Sequence, residues 1–350
     1  MKFLNKVKSC VEEFEMLAPG DSVLIAVSGG PDSVALTLCL LSLQQDYDLK
    51  LAIAHLNHML RKDEAERDEA FVKKLAENLG LEFYKRRSDA ALFAEKQGLS
   101  IEEAGRKLRY DFFNTISEKH GFQKIATGHT MDDNAELVIM NLLRGAGLKG
   151  LSGIPPKRDN RFIRPLIQLS KKAILDFLSE CGQDYMIDSS NLETLYLRNR
   201  IRNTLIPLLQ TEYNPSVIQA LDRTASIFRQ EEDYLEKKAE IVFEKCLTAR
   251  EDSQVCLSGE MISGLHPAMQ NRVLRKAVKW VKKDLKRISL VHLKQITELI
   301  SVPGQDASLD LPGRIRIYKN KGIIRIKKES MGLRQLGRKQ KEMQNRKKQG

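Results

Sequence analysis

SVLIAVSGGPDS, running from Ser22 to Ser33, joins an apolar run to a helical pattern through a pair of glycines. Ser22 to Val27 reads as a buried strand, and Ser33 to Leu43 carries the pattern of a helix. Between them, Ser28-Gly29-Gly30-Pro31-Asp32-Ser33 lets the backbone turn tightly and approach a ligand closely. The helix N-terminus that follows offers unpaired N–H groups and a positive dipole. This is the chemistry of a phosphate cradle at a strand end. Neither G-x-x-x-x-G-K-S/T nor G-x-G-x-x-G occurs, so it is not a Walker loop or a dinucleotide fingerprint. S-G-G alone would suit an ordinary strand-to-helix turn, but Asp32 and Ser33 directly after it make that reading a poor one.

Working outward, further strand candidates are Leu51 to Leu56, Leu81 to Tyr84 and Lys124 to Thr127. Helical patterns follow them over Glu64 to Leu79, Ile101 to Lys119 and Asn134 to Leu143. Alternation of this kind predicts an α/β fold with a parallel sheet, whose ligand lies at the carboxyl ends of the strands. From Arg198 to Leu247 the pattern is helical, with breaks expected at Pro207 and Pro215. A polar stretch, Ala249 to Gln254, precedes two helices expected within residues 262–301. Ser308 to Lys328 reads as short strands, with Asn320, Lys321 and Gly322 at a hairpin turn. The expected organisation is a catalytic α/β domain over residues 1–215, a helical extension over 216–250, a small α+β domain over 251–330 and a basic tail over 331–350. That tail holds seven basic residues against one acidic and is expected to be disordered unless nucleic acid orders it.

Composition narrows the class of function. Of the 350 residues, 42% are hydrophobic and 30% charged, as in ordinary globular proteins. No apolar run approaches the ~20 residues that cross a bilayer, and the N-terminus MKFLNKVKSCVEEFEML carries acidic residues, so a cytoplasmic protein without membrane partners is expected. Cys10, Cys39, Cys181, Cys246 and Cys256 are widely spaced, which shows no zinc ribbon or cluster site. The net charge of +12 is uneven: residues 1–261 sum to −5 and residues 262–350 to +17. A basic segment attached to an acidic module points to a polyanion, and nucleic acid is the natural one.

A second signal is Gly128-His129-Thr130-Met131-Asp132-Asp133-Asn134-Ala135-Glu136, again at a strand end opening a helix. Asp133 and Glu136 share one helical face and can jointly hold a cation. The helix dipole alone would account for one carboxylate in a first turn. Arg106 and Arg109 share a face at three apart, and Arg198 and Arg202 at four apart. Same-face arginines repel unless an anion lies between them, so these four are expected to meet phosphates.

The glycine turn resembles the pyrophosphate loop of the N-type ATP pyrophosphatases, which cleave ATP between its α- and β-phosphates and adenylate a carbonyl. The resemblance implies that Ser28, Gly29, Gly30, Pro31, Asp32 and Ser33 bind the ATP phosphates and that Asp32 holds magnesium. The second signal, continued by Asn141-Leu142-Leu143-Arg144-Gly145-Ala146-Gly147-Leu148, narrows the resemblance to the tRNA(Ile)-lysidine synthetase family. That family's pattern is close to G-H-x-x-D-D-x-x-E followed by R-G-x-G. Relatives often carry a second His where Thr130 stands, so no role is assigned to that position. His55 to Arg61 (HLNHMLR), Glu102 to Tyr110 (EEAGRKLRY) and Arg198 to Asn203 (RNRIRN) with Pro207 resemble further family segments. Motif resemblance covers residues 20–215, and looser resemblance covers 262–328.

The family implies an α/β pyrophosphatase domain with a helical extension and a small C-terminal domain. It also implies ATP and magnesium as cofactors, and free L-lysine and tRNA(Ile) with a CAU anticodon as partners. By resemblance, Asp133 and Glu136 receive the amino groups of lysine. The position-two carbonyl of the wobble cytidine is adenylated and the lysine ε-amine then displaces AMP. Asp32, His129 and Asp132 are the implied catalytic residues. Spacing does not choose among His129, Asp132 and Asp133 as the base. tRNA thiolation, the rival within the fold, uses cysteines near the loop, and none of the five lies there. A small-molecule adenylating ligase would not need a segment of +17, and a nucleotide-gated RNA-binding protein would release no pyrophosphate. The extra C-terminal domain of the longest family members has no evident counterpart, and the oligomeric state, a homodimer included, is left open.

Overall fold

The structure, a computed structural model, describes residues 2–60, 62–187, 197–302 and 306–330. The chain divides into two compact units, Met1–Arg229 and Gln230–Gly350.

The first unit is built on a sheet of β1 (Ser22–Ala26), β2 (Lys50–Asn57), β3 (Glu82–Arg87), β4 (Lys124–Ala126), β5 (Lys157–Arg158) and β6 (Phe162–Ile163). Their order is β3-β2-β1-β4-β6-β5, parallel except for the antiparallel edge strand β5. The helices of this part are α1 (Lys2–Glu13), α2 (Pro31–Ser42), α3 (Gln44–Tyr47), α4 (Lys62–Asn78), α5 (Ala90–Gln97), α6 (Ile101–His120), α7 (Met131–Leu143), α8 (Leu148–Leu151), α9 (Lys171–Glu180), α10 (Leu197–Arg200) and α11 (Ile206–Glu212). α12 (Val217–Cys246) begins in this unit and continues into the next.

Covered on both faces, the central strands read as unbroken apolar runs, as parallel strands do. In β1, Val23 and Ile25 face one core with Leu36 and Leu40 of α2, while Leu24 faces the other with Phe112 of α6. β2 alternates in step, Leu51 and Ile53 on the first side and Ala52 and Ala54 on the second. The expected parallel sheet and crossover helices are therefore present. β5 and β6, at two residues each, have no period to read.

Pro207 does not break the helix as expected. α10 passes through a π turn, Ile201–Leu205, into α11, where Pro207 sits in the first turn. Proline offers no N–H to the preceding turn, and the widened turn absorbs the loss: Ile206 N–H reaches back to the carbonyl of Ile201. Pro215 does fall between α11 and α12.

The second unit is α+β. Its antiparallel sheet comprises β7 (Leu247–Glu251), β8 (Gln254–Ser258), β9 (Ala307–Leu311), β10 (Ile315–Asn320) and β11 (Ile323–Lys328), in the order β7-β8-β11-β10-β9. α13 (Gly259–Ser263), α14 (Pro267–Lys282) and α15 (Leu290–Ser301) complete it. Ile315, Ile317, Ile324 and Ile326 pack against Val273, Ala277 and Ile296 to form its core. The polar stretch from Ala249 to Gln254 proves to be a hairpin, β7 to β8, because its outer residues face water. In the β10–β11 hairpin the turn is Lys321-Gly322, with φ of 47° and 78°, the two left-handed positions a tight hairpin needs. Asn320 belongs to β10. The tail expected over 331–350 lies outside the described residues.

Candidate active site

The glycine turn leaves β1 at the carboxyl edge of the sheet. Gly29 has φ +98°, a conformation that side chains rarely adopt, and Gly30 is the extended N-cap of α2 with Pro31 following. Ser33 ties the turn together: its hydroxyl donates to Gly30 O at 2.9 Å and accepts Ser28 N–H at 3.2 Å. Met186 N–H donates to Gly29 O at 2.9 Å. Gly128, which opens the second motif, lies so close that a Cβ there would stand 3.0 Å from the backbone carbon and oxygen of Asp32. The two motifs are thus in backbone contact, and this is why a glycine precedes His129.

Asp32 is charged in a place that disfavours charge. Burial pushes its carboxyl up to about 6, opposed by Lys171 and reinforced by Asp133. Lys171 Nζ stands 3.7 Å from Oδ2, and Oδ1 is buried without a hydrogen-bond partner. A carboxylate oxygen in that condition fits a hard cation. Magnesium is commonly held by one or two carboxylates together with substrate phosphates, which suits Asp32 beside a phosphate cradle. Among the described residues no group of three or more His, Cys, Asp or Glu side chains could form an all-protein metal site.

At the start of α7, Thr130 is the N-cap. Its hydroxyl accepts Asp133 N–H at 3.2 Å, and Asp133 Oδ2 accepts Thr130 N–H at 3.0 Å. Asp132 Oδ2 accepts Lys171 N–H at 2.8 Å, and burial raises the Asp132 carboxyl above its ordinary value. The other oxygen of Asp133, with both of Glu136, meets two guanidiniums. Arg198 Nε donates to Glu136 Oε2 at 2.7 Å and Nη2 to Asp133 Oδ1 at 2.8 Å. Arg202 Nε donates to Glu136 Oε1 at 2.5 Å and Nη2 to Asp133 Oδ1 at 3.2 Å. Burial opposes ionisation of Asp133, but Arg198, His129 and Arg202 outweigh it and hold the carboxyl below its usual range. The anion between Arg198 and Arg202 is therefore the protein's own carboxylate pair. Arg202 lies within the π turn, so the irregular turn carries a residue of the site.

His129 is driven down to about 4 by burial, with Arg164, Arg198 and Arg106 pushing the same way against Asp133, so the imidazole is neutral at pH 7. Its Nδ1 lies 3.0 Å from the Thr127 hydroxyl. His58 is also lowered to about 4, by burial and by Arg109. Arg109 Nη2 stands 3.3 Å from His58 Nε2; a guanidinium only donates, so the His58 proton is on Nδ1, which is buried without a partner. His55 Nδ1 donates to Val27 O at 2.9 Å, since a carbonyl only accepts. Arg106 lies over the Tyr110 ring, 5.2 Å from its centroid. Arg61 falls outside the described residues.

Sequence reasoning passed over Lys171 and Arg164. Lys171 and Lys172 occupy the first turn of α9, where the helix dipole disfavours cations, and that anomaly was a readable signal. Arg164 is only 2% exposed and donates to Pro155 O at 2.5 Å. Four of the five cysteines are buried, and all five are free thiols. Among the described residues no helix is long and apolar enough to cross a membrane.

Residues 2–209 match the PP-loop domain, and residues 257–321 match the TilS substrate binding domain. The tRNA(Ile)-lysidine synthase of Clostridioides difficile (strain 630) is 36% identical over 327 residues, covering 93% of this chain and 71% of that protein. Its counterpart from Geobacter sulfurreducens is 36% identical over 318 residues, 91% of this chain and 67% of the relative. Among solved structures, the U34-tRNA thiolase NcsA from Methanococcus maripaludis shares the fold with a TM-score of 0.50 at 19% identity, over 64% of this chain and 78% of that one. With a PP-loop domain spanning more than half its length, the substrate binding domain after it and such relatives along nine-tenths of it, the chain belongs to the tRNA(Ile)-lysidine synthase family.

Proposed function

We propose that the protein ligates lysine to the wobble cytidine of tRNA(Ile) with a CAU anticodon, at the expense of ATP. In the first step the cytidine position-two oxygen attacks the α-phosphorus and pyrophosphate leaves. In the second the lysine ε-amine attacks the carbon, and AMP departs with that oxygen while the nitrogen gives up its proton. The glycine turn and the N-terminus of α2 hold the phosphates by backbone N–H groups and dipole. Asp32 would hold magnesium, which screens the phosphate charge as pyrophosphate leaves. The observation that carries the reading is the buried, partnerless carboxylate oxygen of Asp32, a residue whose backbone lies against Gly128 of the motif bearing Asp133 and Glu136.

Asp133 and Glu136 offer two negative charges to the two ammonium groups of free lysine. In this structure Arg198 and Arg202 hold those positions, so lysine enters by exchange with a guanidinium. Asp32 meets Lys171 Nζ at the longer distance of 3.7 Å, and its Oδ1 has no hydrogen-bond partner. The site is accordingly ready for the nucleotide before it is ready for the amine, an order that suits adenylation first. Of the candidate bases, Asp133 is ion-paired and Asp132 accepts a backbone N–H, while burial keeps His129 neutral and it forms no ion pair among the described residues.

The test is mass analysis of a CAU tRNA(Ile) transcript incubated with the protein, ATP, magnesium and lysine, with pyrophosphate followed in parallel. Lysine-dependent mass gain on one cytidine, with stoichiometric pyrophosphate, is expected. Pyrophosphate release without modified tRNA, or modification only with a sulfur donor, would exclude the proposal.

A further inference from the structure

α14 carries cations on two faces, and they meet different ends. Arg272 and Lys276 turn to α12, where Arg272 donates to the Glu232 carboxylate at 3.1 and 2.6 Å and Lys276 to Glu236 and Glu240 at 2.7 and 2.5 Å. Arg275 and Lys279, also spaced by four, are exposed and take part in no ion pair among the described residues, and exposed Lys283 follows as the left-handed cap just past the helix end. Like charges at that spacing repel along a helix, so Arg275 and Lys279 carry a local cost that a bound anion would relieve.

Beside this row stands Trp280, the one tryptophan of the chain. The residue is 38% exposed. Nε1–H donates to Glu251 O at 3.0 Å, which pins the ring edge to the β7–β8 hairpin. The Arg250 guanidinium, which also donates to Glu244 Oε1 at 2.8 Å, lies 4.6 Å and Lys283 Nζ 5.3 Å from the ring centroid. A fixed aromatic surface bordered by cations fits a polymer that alternates phosphates with flat, polarisable groups. An acidic peptide would use the cations but has no need of the ring.

We infer that the face formed by Arg275, Lys279, Lys283, Trp280 and Arg250 receives the phosphodiester backbone of the tRNA, with the indole against a ribose or an unpaired base of the same strand. This rests on the reading of tRNA as substrate, and it selects one surface of the second unit for the contact. The opposite cations of α14 hold the helix to α12 and take no part.

The full-length triple variant Arg275→Ala, Lys279→Ala, Lys283→Ala tests it, with tRNA binding measured across a salt series. Loss of three phosphate contacts lowers the log–log salt slope by about 2 to 3, and affinity at moderate salt falls by about tenfold or more. ATP affinity stays that of the parent. A matched triple at other exposed cations, Lys294→Ala, Arg325→Ala, Lys328→Ala, keeps the larger share of affinity. Trp280→Leu weakens binding by about tenfold and Trp280→Phe restores most of it, which a merely structural indole would not do. Thermal unfolding of each variant checks that the unit remains folded. Parental affinity and slope in the first triple, or equal loss in both triples, overturns the inference and leaves the substrate reading intact. A parent chain with no affinity for tRNA overturns both.

Discussion

Replacing Asp32 with asparagine should stabilise the ligand-free protein while abolishing its use of ATP. The carboxyl ordinarily ionises at 3.8 and does so at about 6 in the fold, chiefly because burial disfavours its charge. At about 1.4 kcal/mol per pH unit, keeping it ionised in the folded state costs roughly 3 kcal/mol. The side chain is 23% exposed, so solvent screening does not erase that figure. Asparagine removes the charge at nearly constant shape. Lys171 already offsets part of the burial penalty within that value, so the net gain is roughly 3 kcal/mol. A folded-state value raised above the unfolded one contributes stability fully present below about pH 4 and lost as pH rises through 6. The advantage of the variant therefore opens between those values and is constant above them. Denaturant unfolding at about pH 7.5 and about pH 4.5 reads it, and for a unit of this size the shift in Tm is ~5–10 °C at the higher pH. A variant no more stable than the parent at pH 7.5, or an advantage of equal size at both pH values, would refute the assignment of Asp32 as a strained anion awaiting a cation.

Gly128→Ala would force a methyl group to within 3.0 Å of the Asp32 backbone, and ATP affinity measured by equilibrium binding should fall about tenfold or more; unchanged affinity would mean that this backbone contact does not shape the nucleotide loop. Glu136→Gln should raise the KM for lysine by about tenfold or more with ATP affinity nearly parental, whereas a loss in kcat alone would count against Glu136 as a lysine ligand. Arg202→Ala leaves the buried Glu136 and Asp133 with Arg198 alone, and a destabilisation of ~2 kcal/mol is expected in urea unfolding, below the cost of a fully orphaned buried charge because one guanidinium remains.

The sequence announced what depends on short, local patterns. An apolar strand, two glycines and a helix start suffice to place the cradle, because the turn needs φ > 0 at Gly29 and close backbone approach, and both requirements are met within six residues. Asp133 and Glu136 were likewise legible, since their shared face follows from helical spacing. Their partners were not legible. Arg198 and Arg202 lie more than 60 positions along the chain, and only tertiary structure could show that the anion between them belongs to the protein.

The misreading of Pro207 has the same root as that hidden pairing. A proline in a helical pattern reads as a stop when the alternative, a widened turn, leaves no compositional mark. That turn, Ile201–Leu205, carries Arg202 and begins one residue after the last of α10, which carries Arg198. Inserting an extra residue per turn between two arginines on one helix changes their relative direction, and here both still reach the same two carboxylates with Nε and Nη2. A regular helix ending at Pro207 would have kept the arginines on one stripe without the widened turn that holds Arg202. The proline that looks like punctuation thus bears on the geometry of the candidate amine site, and Pro207→Ala, which permits a regular turn, should alter lysine KM while ATP affinity and the fold of the first unit persist. Unchanged lysine KM in that variant would show that the π turn is incidental to the quartet.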